Sequence, residues 1–357
     1  MKRSILCAAG ITLILRLAVL AASISDSTIL SHIQKGLSSG SLQSSAVMLE
    51  LGAKPTALST PPSGSSASSS AEQNTEDSQP NITAPTQENP AESAEKTTDL
   101  SAYDAQIMET TFTSDTNLAV DNHTSYELNP EALLGEGLTQ SLSSDGPQIL
   151  IIHTHGSEAY TPDGEDIYTS SDNYRTEDTN YNVVRIGDIL TEIWDSYGLN
   201  VIHDRQLHDY PSYTGSYTRT AESIQSYLEQ YPTISIVIDL HRDALGTDDL
   251  MYKTVADIEG HNSAQIMIIA GTGELGLYHP YWQENLKLAL GLESAMNTSY
   301  PTLARPVSVV SERYNQHLTT GSLIIEVGSC GNTLQEAISA IQLFGESTAP
   351  LLLSLAE

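Results

Sequence analysis

Beyond Gly146 the chain alternates short apolar runs with segments whose apolar residues recur at helical spacing. Residues 148–152, 234–240, 266–270, 307–310 and 323–327 are runs rich in Ile, Leu and Val, of a length that suits buried strands, and residues 201–202 add a shorter one. Val183, Val184, Ile186, Leu190, Ile193, Trp194 and Tyr197 recur at helical spacing, and Gly198 stands where a left-handed residue closes a helix. Ala221, Ile224, Leu228 and Tyr231 mark a second helix, and residues 282–296 and 334–344 two more. Strands separated by helices of this length need crossovers. The pattern therefore predicts one α/β domain, its sheet mainly parallel, flanked by helices on both faces. Ahead of it, residues 116–120 read as a short strand, and Asn129 followed by Pro130 as a helix start.

The N-terminal third has a different texture. Lys2 and Arg3 precede an apolar run from Ile5 to Leu20 broken only by small or polar residues and Arg16, the form of an export segment. We read residues 1–24 as a membrane anchor in preference to a cleaved signal, although Ala21, Ala22 and Ser23 are residues a signal peptidase accepts. Residues 55–98 are mostly Ser, Thr, Ala, Pro, Glu and Gln, with too few branched apolar side chains to offset chain entropy. Residues 25–111 are therefore expected to be a mostly disordered linker holding a folded region, residues 112–357, clear of a membrane. The expected location is extracytoplasmic, with membrane contact through the N-terminal segment only.

Charge narrows the partners. With 45 acidic against 15 basic residues the formal net charge is -30, which repels nucleic acid and anionic lipid. Cys7 and Cys330 are the two cysteines, too few and too far apart for a disulfide framework.

Three predicted strands end in groups that can bind or activate a ligand, and in open α/β sheets ligands gather at the carboxyl ends of strands. The first leads into His153, Thr154, His155, Gly156, Ser157 and Glu158, which adds nitrogen and oxygen donors of the kind zinc takes. His153 reads equally well as a satisfied structural histidine. The second delivers Asp239, His241, Arg242 and Asp243, a concentration of titratable groups that packing does not explain. Asp239 suits the orientation of an imidazole, Arg242 the holding of a substrate carboxylate, and Asp243 is either functional or a partner of Arg242. The third places Glu326 inside an apolar run, where an unpaired carboxylate is costly, so it is either one half of a buried ion pair or a general base. Residues 172–182, between the first two, are polar and suit helix capping or anion binding at a helix start.

The blocks HTHGSEAY at 153–160, NYNVVRIGDIL at 180–190, IDLHRDA at 238–244 and IIEVGSCGNTLQEA at 324–337 together resemble the stage II sporulation protein P family, and the likeness reaches back to VDNHTSY at 120–126. The resemblance implies an amidase-like fold and a zinc N-acetylmuramoyl-L-alanine amidase. Such an enzyme is membrane-anchored, acts on peptidoglycan during engulfment in sporulation, and works with a lytic transglycosylase, stage II sporulation protein D. It implies that His155 and His241 are metal ligands and Glu326 the catalytic glutamate. The wider amidase group has a glutamate ligand at the start of the first long helix, where this sequence has Asn180. Glu158 is the expected substitute, with Asn180 or His153 the alternatives for that ligand. Arg242 is expected to assist catalysis and bind substrate, and Asn180 to bind substrate. A peptidoglycan endopeptidase at the same site, or a non-catalytic wall-binding module, are the alternative functions.

Overall fold

The computed structural model describes residues 105–356, except 115, 248 and 259. The expected membrane segment and most of the expected linker lie outside the described residues. Within them, no helix is long and apolar enough to cross a membrane.

In chain order the elements are β1 (Gln106–Thr110), β2 (Val120–Asn122), α1 (Pro130–Gly135), β3 (Ile149–Ile152), α2 (Val183–Ser196), β4 (Val201–His203) and α3 (Ser216–Gln230). They continue with β5 (Ile236–Asp243), β6 (Leu250–Thr254), β7 (Ala256–Ile258), β8 (His261–Ser263), β9 (Ile266–Gly271), α4 (Trp282–Ser299), β10 (Val307–Val310), β11 (Gly321–Ser329) and α5 (Leu334–Leu353). Local chemistry sets several of these bounds. Asn182 caps α2 by accepting from Val184 N–H, and Gly198, at φ +95°, follows its last turn. Thr333 and Glu336 form a reciprocal capping box at the start of α5.

A seven-stranded sheet in the order β2-β10-β9-β11-β5-β3-β4 forms the centre. Its neighbours pair parallel except at β9 and β11, which run antiparallel, so the sheet is mixed. The order of apolar runs carries no information on strand direction, and the reversal at β9 is visible only in three dimensions. A strand at Gln106–Thr110, ahead of the first ordered residue expected from sequence, pairs in parallel with β6. Its side chains are mostly exposed, so its pairing rests on backbone bonds that leave no hydrophobic pattern.

The two faces of the sheet differ. Ile149, Ile151, Ile236, Ile238, Leu240, Leu323, Ile325 and Val327 share one core with the buried faces of α2, α4 and α5. Leu150, Ile152 and Val237 point to the opposite face and pack with Ile224 of α3. Among the described residues α3 is the one α-helix packed on that second face, joined by Leu318 of a short 3-10 turn, and beyond it Met267 and Ile269 of β9 are only half-buried. Among the described residues helical cover is therefore unequal: α2, α4 and α5, with Leu133 and Leu134 of α1, pack on the first core and α3 on the second. α5 runs nine residues past the end its periodicity suggests, through Gly345. A Cβ there would stand 2.9 Å from Ile193 Cγ2, so glycine marks the close approach of α2 and α5 and not a helix stop.

Candidate active site

Alternation along β5 and β11 decides which side chains reach the thinly covered face. Ile238 and Leu240 point into the core shared with α2, α4 and α5, so Asp239 and His241 point the other way. Ile325 and Val327 do the same for Glu326. Glu326 and His241 are register partners on these adjacent parallel strands, which puts carboxyl and imidazole side by side. His155 arrives from the loop after β3, its ring centroid 5.4 Å from that of His241 at an interplanar angle of 85°. Tyr213 stacks on the His155 ring at 4.5 Å, and Tyr217 meets its edge at 5.5 Å.

Carboxylates surround His241. Glu158 Oε2 lies 3.3 Å from Nδ1, and Asp239 Oδ1 lies 2.8 Å from Nε2 although not aligned for a hydrogen bond. Asp239 is fixed by Thr154, whose N–H donates to Oδ1 (2.7 Å) and whose hydroxyl donates to Oδ2 (2.6 Å). Burial opposes a charge on His241, but Asp239 and then Glu158 overcome it and raise the imidazole well above its ordinary range. Burial likewise opposes ionisation of Glu158, yet Arg242, His241 and Arg175 hold its carboxyl well below the usual value. His155 is depressed to about 3, mainly by burial. Glu326 moves the other way, to about 8, through burial and the nearby charge of Asp243. Its Oε2 is buried without a hydrogen-bond partner.

Around these groups stands a ring of supports that the sequence did not single out. Arg175 reaches Glu158 Oε1 at 3.2 Å and Asp209 Oδ2 at 2.7 Å, and lies 5.0 Å over the Tyr213 ring. Asp209 in turn accepts from Ser157. Arg175 and Asp209 lie in polar loops with no periodic signal, so nothing local marked them. Tyr217 lies in the first turn of α3 and Tyr213 in the loop before it, so the pair has no helical spacing to mark it.

The remaining sequence candidates fall elsewhere. Arg242 is buried, with Nε donating to Ala159 O (3.0 Å), Nη2 to Tyr174 O (3.1 Å) and Nη1 3.6 Å from Glu158 Oε1. These contacts commit its guanidinium to the protein itself, so it faces the loop and not an open substrate position. Asp243 pairs with Arg305 at 2.7 Å and not with the adjacent Arg242. Asn180 is exposed, its N–H and side-chain amide both turned to Asp178 Oδ1. It sits two residues before the cap of α2, in a turn, which removes it from the group around His241. Glu158 lies beside that helix start, because Val183 N–H donates to its carbonyl (2.8 Å). His153 points away from the group: Nδ1 is 2.9 Å from Leu240 O and Nε2 2.8 Å from His203 Nε2.

As a donor set, His155, His241 and Glu158 supply two nitrogens and one oxygen, which suits zinc. The unaligned His241 Nε2 and the orphaned Glu326 Oε2 are buried polar atoms with capacity for a further partner. Among the described residues, however, no three His, Cys, Asp or Glu side chains already stand as a coordination shell. Both ring nitrogens of His241 face carboxylates in this arrangement, Glu158 at Nδ1 and Asp239 at Nε2.

A sequence model described as Stage II sporulation protein P matches residues 39–349. The Stage II sporulation protein P of Bacillus subtilis (strain 168) is 27% identical over 221 residues, 57% of this chain and 52% of that relative. The match thus spans about half the relative's length. Among solved structures, an N-acetylmuramoyl-L-alanine amidase of Nostoc punctiforme covers 61% of this chain and 99% of its own at 10% identity and a TM-score of 0.34. One from Clostridium difficile 630 covers 59% and 97% at 16% identity and a TM-score of 0.36.

Proposed function

Since the chain belongs to the stage II sporulation protein P family, we propose that it hydrolyses peptidoglycan in sporulation, at the amide joining N-acetylmuramic acid to L-alanine, with Glu326 as the acid and base. The observation that carries this reading is the register pairing of Glu326 with His241, with Oε2 of Glu326 buried and unpartnered. Burial and the charge of Asp243 raise this carboxyl to about 8, and a cation held at the neighbouring ligands would lower it again, leaving it ionised to accept a proton and able to give it back.

The residues take distinct parts. His155, His241 and Glu158 would hold a zinc ion, whose contribution when bound is Lewis acidity at the scissile carbonyl. Glu326 takes the proton of the attacking water and returns it to the departing alanine amine. Asp239, anchored twice by Thr154, orients His241. Arg242 and Arg175 keep Glu158 ionised and in place. Tyr213, stacked on His155, keeps water from one side of that ring. In this reading Arg242 is a positioning residue and Asn180 takes no part.

The test is incubation of the purified chain with peptidoglycan, with zinc and with chelator, followed by mass spectrometry. Products with a freed lactyl group, formed with zinc and lost with chelator, support amide hydrolysis. Peptide fragments cut between stem peptides would favour the endopeptidase instead, and binding without products the wall-binding module.

A further inference from the structure

A second cluster of basic side chains lies apart from His155, His241 and Glu326. His279, in the segment after β9, is 6% exposed, and both its ring nitrogens are buried with no hydrogen-bond partner. His317 Nδ1 and Arg313 Nε, from the segment between β10 and β11, share that condition. Arg313 Nη1 donates to the carbonyl of Tyr278 at 3.2 Å, which brings the guanidinium to the residue next to His279.

The positive charge of Arg313 disfavours protonation of both imidazoles. Burial, then His317 and Arg313, depress His279 to about 4; burial and Arg313 depress His317 to about 4, and no carboxylate offsets either. Arg175, Arg205, Arg242 and Arg305 each have a carboxylate close by, and Arg219 spends its guanidinium on the carbonyls of His208, Ser212 and Thr214. Arg313 has none among the described residues, and burial alone lowers it. In a chain with a threefold excess of acidic residues, 45 against 15, this arrangement needs an explanation. Leaving a buried donor or acceptor unmatched costs roughly 1–3 kcal/mol, and here four nitrogens lack a partner together. A guanidinium beside the imidazoles disfavours a metal ion. It favours an acceptor with negative charge, for which guanidinium and imidazole N–H groups are strong donors.

We propose that Arg313, His279 and His317 form a binding site for an oxyanion, a phosphate or carboxylate group on a ligand of this protein. The site adjoins the candidate active site through Tyr314, the residue after Arg313. Tyr314 holds a left-handed backbone at φ 50°, unusual for a bulky residue, and its ring centroid is 5.6 Å from that of Tyr217, which touches His155.

The experiment follows the imidazole nitrogen resonances of His279 and His317 in the purified full chain, assigned with His279→Gln and His317→Gln. Three compounds are titrated separately: inorganic phosphate, N-acetyl-alanyl-alanine with its free carboxylate, and the same dipeptide as its amide. Saturable shifts of both histidines with phosphate or with the free acid, but not with the amide, support the site and tell the two sources apart. Arg313→Gln is expected to weaken that binding about tenfold or more, and Arg313→Lys less, with both variants checked for an unchanged fold by circular dichroism. Absence of saturable shifts with phosphate and free acid alike overturns the proposal, as does equal response to the amide or affinity unchanged in Arg313→Gln. None of these readouts depends on hydrolysis, so the site stands or falls separately from the amidase reading.

Discussion

Glu326 occupies a strand position whose neighbours, Ile325 and Val327, are fully buried, and that is why one carboxyl there has so much leverage. Replacing it with Gln keeps shape and removes the titrating proton. Glu326→Gln is therefore expected to lower product release about 10²- to 10⁴-fold while binding to peptidoglycan persists, measured by soluble-product assay and cosedimentation. Arg242 predicts a different outcome, because it ties Ala159, Tyr174 and Glu158 together from inside. Arg242→Ala should cost about 3–5 kcal/mol in denaturant unfolding, the range for breaking a buried pair, with loss of activity following loss of structure. At this scale His241 and Glu326 were legible because polar residues in an apolar strand stand out. Asn180 and Arg242 were not, since whether an amide or a guanidinium faces a cleft or its own backbone depends on chain segments distant in sequence.

Two helices carry strain that their own sequence hides. In α2, Gly187 lies where a Cβ would stand 2.5 Å from His203 Nε2 and 2.8 Å from His153 Nε2. Alanine is the better helix former by about 1 kcal/mol, yet Gly187→Ala should destabilise by about 1–3 kcal/mol because the imidazole pair must move, a reversal of sign readable by urea unfolding. In α4, Glu293 is 1% exposed, and burial raises its carboxyl to about 8 despite hydrogen bonds from the backbone of Ala119 and Val307. The folded chain keeps this proton up to about pH 8, whereas the unfolded chain releases it near 4.5. Folding thus takes up a proton between those values, and Glu293's contribution to stability, full at acid pH, is lost as pH rises through them. Thermal midpoints of Glu293→Gln should fall less between about pH 5 and about pH 8 than those of the parent. The helices themselves were legible from periodicity, but their crowding was not, because a glycine's missing methyl has meaning only against the neighbour that fills its place.

For the whole molecule, alternation along β5 and β11 sends His241 and Glu326 to the face that α3 covers and away from the core shared with α2, α4 and α5. If His155, His241 and Glu158 bind zinc, a metal present at a hundredfold excess over its dissociation constant stabilises the fold by about 2.7 kcal/mol. That corresponds to a rise of about 5–10 °C in Tm, expected for the parent and lost in Glu158→Gln, by calorimetry with and without chelator. The order of apolar runs by itself determined the α/β class, the place of most strands and helices and the strands that carry His241 and Glu326, because side-chain periodicity is a local property of the chain. Only the tertiary structure decided the reversal at β9, the thinly covered face, the Arg175 and Asp209 supports and the basic cluster at Arg313. Each of these arises from contacts between segments far apart in sequence, and no spacing along the chain encodes such contacts directly.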